Sequence, residues 1–507
     1  MYSRVYSAAI RGVSIEIVSV EVDVSDGLPS FDMVGLLNSE VKEAKERVRS
    51  AIKNTGYLLP PKRITVNLSP ADIRKEGSSF DLPIAIGILS SLGLVINRTG
   101  MDKVLVAGEL SLNGDVLGMN GVLPVVLSAR EKGITHFILP KANVAEAAIV
   151  EDVEIYGVEN LKQVIGMFNG VIGEPEPHMD FDKIYNEYFL SSVDSDDFGD
   201  VNGQDVVKRA AEVATAGMHN ILLVGSPGYG KSMIAKRIAG ILPKPDKEEC
   251  MEITKIHSIA GELDGKAVKI GRPFRAPHHT ITDKALVGGG SNPKPGEITL
   301  AHNGVLFLDE LAEFRRESID ALRQPLEENH VVINRVGGNY EFPARIMLVA
   351  ATNPCKCGYY PDRNRCNCSL TQVKNYMGKI SGPVLDRIDI CVHTPTVQIE
   401  ELGKRKGESS ADIRARVERA RVVQEQRYEN ETYKFNSQMP SSHADKYCRL
   451  GEAEKQLMNM VYTTFGLSVR AYYKILRVAR TIADLDGSVN ITEEHISEAI
   501  SYKTEIV

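Results

Sequence analysis

The eight residues Gly225-Ser226-Pro227-Gly228-Tyr229-Gly230-Lys231-Ser232 have the composition and spacing of a phosphate cradle. Glycines let backbone N–H groups converge on an anion, and a helix N-terminus behind them adds its dipole. Lys231 would reach the β- and γ-phosphates of a nucleoside triphosphate, and the Ser232 hydroxyl would take one position on Mg²⁺. Two carboxylates could complete such a site, because Asp309 and Glu310 close the apolar run Gly304-Val305-Leu306-Phe307-Leu308. Asp309 would hold Mg²⁺, commonly through water, and Glu310 would orient and polarise an attacking water. Asn353 could hydrogen-bond the γ-phosphate or that water; the alternative is a turn residue before Pro354.

Buried strands have to deliver these groups. Ile221-Leu222-Leu223-Val224 reads as a parallel strand entering the glycine-rich turn, and residues 233–239 continue at helical period. Residues 304–308 and 346–352 are two further apolar runs ending in polar groups, and open α/β sheets bind ligands at those strand ends. The order of phosphate loop, Asp-Glu strand and Asn-ended strand resembles the AAA+ ATPases. That resemblance implies two arginines. Arg387, in Ser381-Gly382-Pro383-Val384-Leu385-Asp386-Arg387-Ile388-Asp389, occupies the position of an arginine finger acting on the γ-phosphate held by a neighbouring subunit. Arg470, opening a helix through residue 484, resembles the second sensor and would reach the same phosphates from the lid. Ordinary surface ion pairs are the alternative for both.

Two insertions distinguish this chain among such motors. Gly271-Arg272-Pro273-Phe274-Arg275-Ala276-Pro277-His278-His279-Thr280 and Gly288-Gly289-Gly290-Ser291 precede the Asp-Glu strand, and residues 331–342 read as a hairpin around Gly337-Gly338. With Ala350-Ala351-Thr352-Asn353-Pro354-Cys355, they resemble the YifB/ComM family of magnesium-chelatase-like AAA+ ATPases over essentially the whole chain. In relatives such insertions project into a ring's central pore, which makes Arg272, Arg275, His278, His279, Lys284 and Arg335 candidates for contacting threaded DNA. Structural packing of the two histidines is the competing reading. The family implies ATP and Mg²⁺, a homo-oligomeric and hexameric ring, and helicase or branch-migration activity on single-stranded or branched DNA during natural transformation. Metal insertion or protein remodelling without DNA is the alternative.

Cys355-Lys-Cys357 and Cys366-Asn-Cys368 form two Cys-x-Cys knuckles. Four thiolates suit tetrahedral structural Zn²⁺, although Cys-x₂-Cys is the commoner spacing and reduced thiols are the alternative.

The chain has 507 residues, too many for one hydrophobic core, with a net charge of −7 that gives no global basic footprint. Residues 1–20 read as a strand and lack the apolar core of a signal peptide, and no run is long enough to span a bilayer, so a cytoplasmic protein with no membrane partner is expected. Strand patterns at residues 13–23, 64–68, 104–107 and 136–139 with helical ones at 39–53 and 82–94 make the N-terminal part α+β. Gly77-Ser78-Ser79-Phe80-Asp81-Leu82-Pro83 and Gly108-Glu109-Leu110-Ser111-Leu112-Asn113-Gly114 resemble the Lon-protease-type domain, which cleaves peptides with a Ser–Lys pair. Ser79 falls at or beside the nucleophile, but no lysine occurs between Lys103 and Lys132, so the domain reads as proteolytically inactive. The expected organisation is α/β, with the Lon-like domain at residues 1–170, an acidic linker at 171–198, the AAA+ core at 199–395 and a helical lid at 396–507. The arginine-rich lid helix around residues 411–427 reads as a solvated face.

Overall fold

The computed structural model describes all residues except 97–102, 172, 192–195, 291–292, 336–337, 396–406 and 504–507. Ser192 to Ser195 of the linker, Ser291, Gly337 and the start of the lid at 396 lie outside the described residues. Among the described residues, no helix is long and apolar enough to cross a membrane.

The N-terminal unit is built on a seven-stranded mixed sheet. What reads as one strand at the start is a hairpin: Tyr2–Arg11 pairs antiparallel with Ser14–Ser25, and Gly12, at φ +62°, lets the chain reverse. Arg63–Ser69 pairs with the second strand, and Val104–Val106, His136–Pro140 and Glu154–Val158 add on in parallel beyond the first. Helices Ser39–Asn54, Asp81–Ser91 and Leu161–Phe168 cover one face through Val48, Ile52, Ile84, Ile88 and Val164. The apolar helix Asp81–Ser91 buries nearly every side chain, and its Asp81 carboxylate is offset by Arg47 at 2.6 Å.

The AAA+ core carries a five-stranded parallel sheet in the order Phe274–Arg275, Gly304–Leu308, Ile346–Thr352, Ile221–Val224, Ile390–His393. Period two divides the strand Ile221–Val224 between two cores: Ile221 and Leu223 face the lid side, whereas Leu222 and Val224 face the insertions. The lid, with helices Ser410–Arg427, Glu452–Thr464, Val469–Leu485 and Glu493–Ser501, shares the first core through Ile413, Val417, Ile475 and Ile482.

Two expectations are corrected here. Residues 171–198 are more than a loose connection, because Phe181–Ser191 is a helix along which Phe181 packs tilted on Tyr185 and Tyr185 packs edge-on against Phe189. Tyr185 donates to Pro245 O at 3.0 Å, so aromatic burial outweighs the acidic composition that suggested a solvated hinge. The arginines of Ser410–Arg427 are also largely engaged. Arg414 donates to Gly240 O at 2.7 Å, Arg416 pairs with Glu212 and Glu408, and Arg421 stacks on Phe435 at 4.0 Å. Arg414 and Arg416 fasten the lid to the core, and Arg421 holds the lid to itself.

Candidate functional site

The phosphate loop takes its shape from glycine conformations that side-chain-bearing residues rarely adopt. Gly228 and Gly230 have φ of +83° and +78°, and Gly230 caps the helix Lys231–Gly240. Lys231 is largely buried, and its ammonium donates to Gly225 O at 2.6 Å, Ser226 O at 2.9 Å and Asn353 Oδ1 at 3.0 Å. Burial pushes its pKa down, against the pull of Asp309 and Glu310.

Parallel pairing aligns the polar ends of three strands. Leu308 sits opposite Ala350 and Val224 opposite Thr352, which brings Asp309, Asn353 and the loop to one edge. Ser232 Oγ donates to Asp309 Oδ2 at 2.6 Å, and Asp309 Oδ1 accepts from the Glu310 amide at 2.9 Å. These are hard oxygen donors of the kind Mg²⁺ prefers. Glu310 has φ +52° and ψ +48°, a left-handed conformation that costs a bulky residue on the order of 1–3 kcal/mol. Its half-exposed carboxylate lies 3.6 Å from His279 Nδ1.

The four cysteines follow directly. Sγ–Sγ distances are 3.3 Å for Cys355–Cys357, 3.8 Å for Cys355–Cys366, 3.5 Å for Cys357–Cys366 and 3.6 Å for Cys357–Cys368, with all four sulfurs within 4.8 Å of one another. A tetrahedral ion with Zn–S bonds of about 2.3 Å requires sulfurs about 3.8 Å apart, so the cluster fits a single Zn²⁺.

Arg387 and Arg470 lie at the other end of the sheet. Arg387 pairs with Glu327, and Arg470 Nη2 meets the same carboxylate at 2.9 Å. They line a cavity of about 580 Å³ with Asn220, Arg345, Lys474 and Arg477. Asn220 immediately precedes the phosphate-loop strand, so the four residues Ile221–Val224 separate this cavity from the loop, about 13 Å at the strand rise.

Residues 197–402 match the family model described as magnesium chelatase, subunit ChlI, residues 20–143 that of subunit ChlI of Mg-chelatase, and residues 407–503 the ChlI C-terminal model. Competence protein ComM of Haemophilus influenzae is 42% identical over 508 residues, covering 99% of this chain and 97% of the relative. The chain belongs to the YifB/ComM family of magnesium-chelatase-like AAA+ proteins. The uncharacterized protein YifB of Escherichia coli is similar at 40% identity, again over 99% of this chain and 97% of the relative. Lon protease 1 of Herpetosiphon aurantiacus is 30% identical over 162 residues, 30% of this chain and 20% of that protein.

Within this YifB/ComM chain the six residues expected at the pore separate into three groups. Arg272 and Arg275 are corrections. Phe274–Arg275 is the edge strand of the sheet, and the Arg272 side chain, only 3% exposed, bonds Glu249 at 2.8 Å, Pro243 O and Asn303 O. Arg275 is gripped by Glu297 at 2.6 Å and Glu262 at 3.0 Å. Burying these cations requires such partners, and the partners use up the donors a polymer would need. His278 is exposed and stacks at 4.1 Å on His279, which faces Glu310. Lys284 and Arg335 are both exposed and come together from separate insertions: a Cβ placed at Gly289 would lie 3.5 Å from Arg335 Nη2 and 3.7 Å from Lys284 Cγ. The hairpin His330–Arg335 with Gly338–Pro343 presents that arginine at its tip.

Sequence reasoning missed Glu327, which has no motif around it, and the facing of His279 on Glu310. It also missed the contact of Gly358 with Pro227 of the phosphate loop; a glycine directly after Cys-x-Cys is the available signal for a tight turn there.

Proposed function

We propose that this YifB/ComM chain is a Mg²⁺-dependent ATPase that works as a ring, a hexamer, and converts hydrolysis into movement on DNA. In this reading Gly225 to Ser232 bind the nucleotide, with Lys231 moving from its loop carbonyls onto the β- and γ-phosphates. Ser232 and Asp309 would hold Mg²⁺, which would supply positive charge to offset that of the phosphates. Glu310 orients the attacking water, and Asn353 holds the γ-phosphate side of the site. Arg387 and Arg470 serve the nucleotide of the adjacent copy, as their position at the far end of the sheet supports. Cys355, Cys357, Cys366 and Cys368 would hold a structural Zn²⁺.

The observation that carries the DNA reading is the convergence of Lys284 and Arg335 from two separate insertions, in a chain whose net charge of −7 argues against general polyanion binding. The name competence protein, borne by a relative, agrees with a role in taking up or integrating DNA. The N-terminal unit acts as a platform and not as a protease. Ser78, beside Ser79, is bonded to Glu109, and the lysine that would activate a serine is missing from residues 104–131.

The test is steady-state ATPase activity with and without single-stranded, duplex and branched DNA. Stimulation by DNA that is lost in Lys284→Ala/Arg335→Ala, while basal turnover stays, is the expected result. Turnover indifferent to every DNA rejects the DNA reading and favours the second one, a metal-insertion or protein-remodelling motor, to which the chelatase family models point.

A further inference from the structure

The cysteine knuckle lies against the nucleotide site at three points. Cys355 is two residues beyond Asn353, so fixing its sulfur fixes the strand end whose Oδ1 holds Lys231. Gly358, buried and at φ +86°, packs on the phosphate loop so closely that a Cβ there would lie 2.5 Å from Pro227 Cδ. Arg365, one residue before Cys366, stacks on Tyr359 at 4.0 Å and donates to the Tyr229 hydroxyl at 3.4 Å. Pro227 and Tyr229 are both members of the phosphate loop, and Gln204 donates to the Tyr229 carbonyl at 3.2 Å.

We propose that the metal-bound knuckle is a clamp on the phosphate loop, through which the ion sets nucleotide affinity by way of Gly358 and Arg365. The inference rests on the zinc reading of the cysteine cluster and goes beyond it, because a fold staple would not need these contacts. Without the ion nothing ties the four sulfurs together, and the loop of residues 355–368 loses its crossing point. Once bound, Zn²⁺ with four thiolates keeps a formal charge of about −2. A dianion beside a polyphosphate site is tolerable only with cations around it, and Lys356, Arg363 and Arg365 stand exposed on the same loop. Arg365 combines both tasks, as the cation that reaches across to the loop and the positioning residue that holds Tyr229.

The experiment compares the full-length chain with Gly358→Ala, Arg365→Ala and Arg363→Ala. Arg363 bonds Cys368 O at 2.9 Å and makes the matched-charge control away from the phosphate loop. Zinc per chain is measured by metal analysis, affinity with a fluorescent ATP analogue, and turnover at saturating ATP. The expected result is one zinc per chain in all four proteins and a Kd raised about three- to tenfold in Arg365→Ala and more in Gly358→Ala. Arg363→Ala keeps the wild-type Kd, and Arg365→Ala keeps kcat. Wild-type affinity in zinc-loaded Gly358→Ala and Arg365→Ala overturns the clamp and leaves the zinc reading standing. Equal weakening in Arg363→Ala overturns it in favour of a diffuse charge effect. Wild-type protein without metal overturns both.

Discussion

The two ends of the five-stranded sheet hold the same kinds of residue in opposite conditions. At the C-terminal end, Lys231, Ser232, Asp309 and Asn353 satisfy one another over distances of 2.6–3.0 Å. At the N-terminal end, Arg387 and Arg470 crowd one half-exposed carboxylate, Glu327, beside an open cavity with further cations. The first arrangement is closed and preorganised within one chain. The second sets five cations, Arg345, Arg387, Arg470, Lys474 and Arg477, against the three acids Glu327, Asp386 and Asp389, and in the proposed ring it is the half of a site that a second copy would complete.

The largest expected effect is at the closed end. Lys231→Ala should abolish ATP binding in a nucleotide titration, whereas Glu310→Gln should keep binding and lower kcat by about 10²–10⁴. Arg387→Ala should cost about 10³ in kcat with little change in KM, as measured by steady-state kinetics. The sharper test mixes subunits. Arg387→Ala with Lys231→Ala, each inactive alone, should regain activity when combined, because some interfaces then pair an intact loop with an intact arginine. A mixture as inactive as its components would break the comparison. Arg470→Ala should lower kcat less, about 10- to 100-fold, since its guanidinium is the more exposed of the two. Glu327→Gln should change the melting temperature least, by the equivalent of at most about 1 kcal/mol, because the carboxylate is 48% exposed and solvent screens its pairs.

The closed end was legible in sequence because its chemistry is written in contiguous residues. The glycines, lysine and serine adjoin, and Asp309 and Asn353 each terminate an apolar run that can only be a buried strand. The AAA+ core, the lid and the Lon-like unit followed from the same local patterns and from family resemblance. What could not be read depends on partners distant along the chain. Arg272 looks like a free cation in its own neighbourhood, yet Glu249 and Asn303, which hold it, are 23 and 31 residues away. The lid arginines find Glu212 and Gly240 across about 200 or 170 positions of chain, out of reach of any helical periodicity. The helix Phe181–Ser191 carries Phe181, Ile184, Tyr185, Tyr188 and Phe189 at helical spacing, a short pattern masked by the acidic, proline-containing flanks on which the linker reading was based.

One apolar cluster joins Phe137, Leu139 and Val126 of the N-terminal unit to Phe181 and to Cys250, Ala267, Val268 and Ile270 of the ATPase core. Ser258 Oγ donates to the buried Glu146 at 2.5 Å and Gly121 N to Ser258 O at 3.0 Å across the same seam. The amino-terminal third is therefore a docked unit and not a tethered passenger: a movement of the core would carry it along, and cutting the chain near residue 172 would leave the two pieces gripping each other.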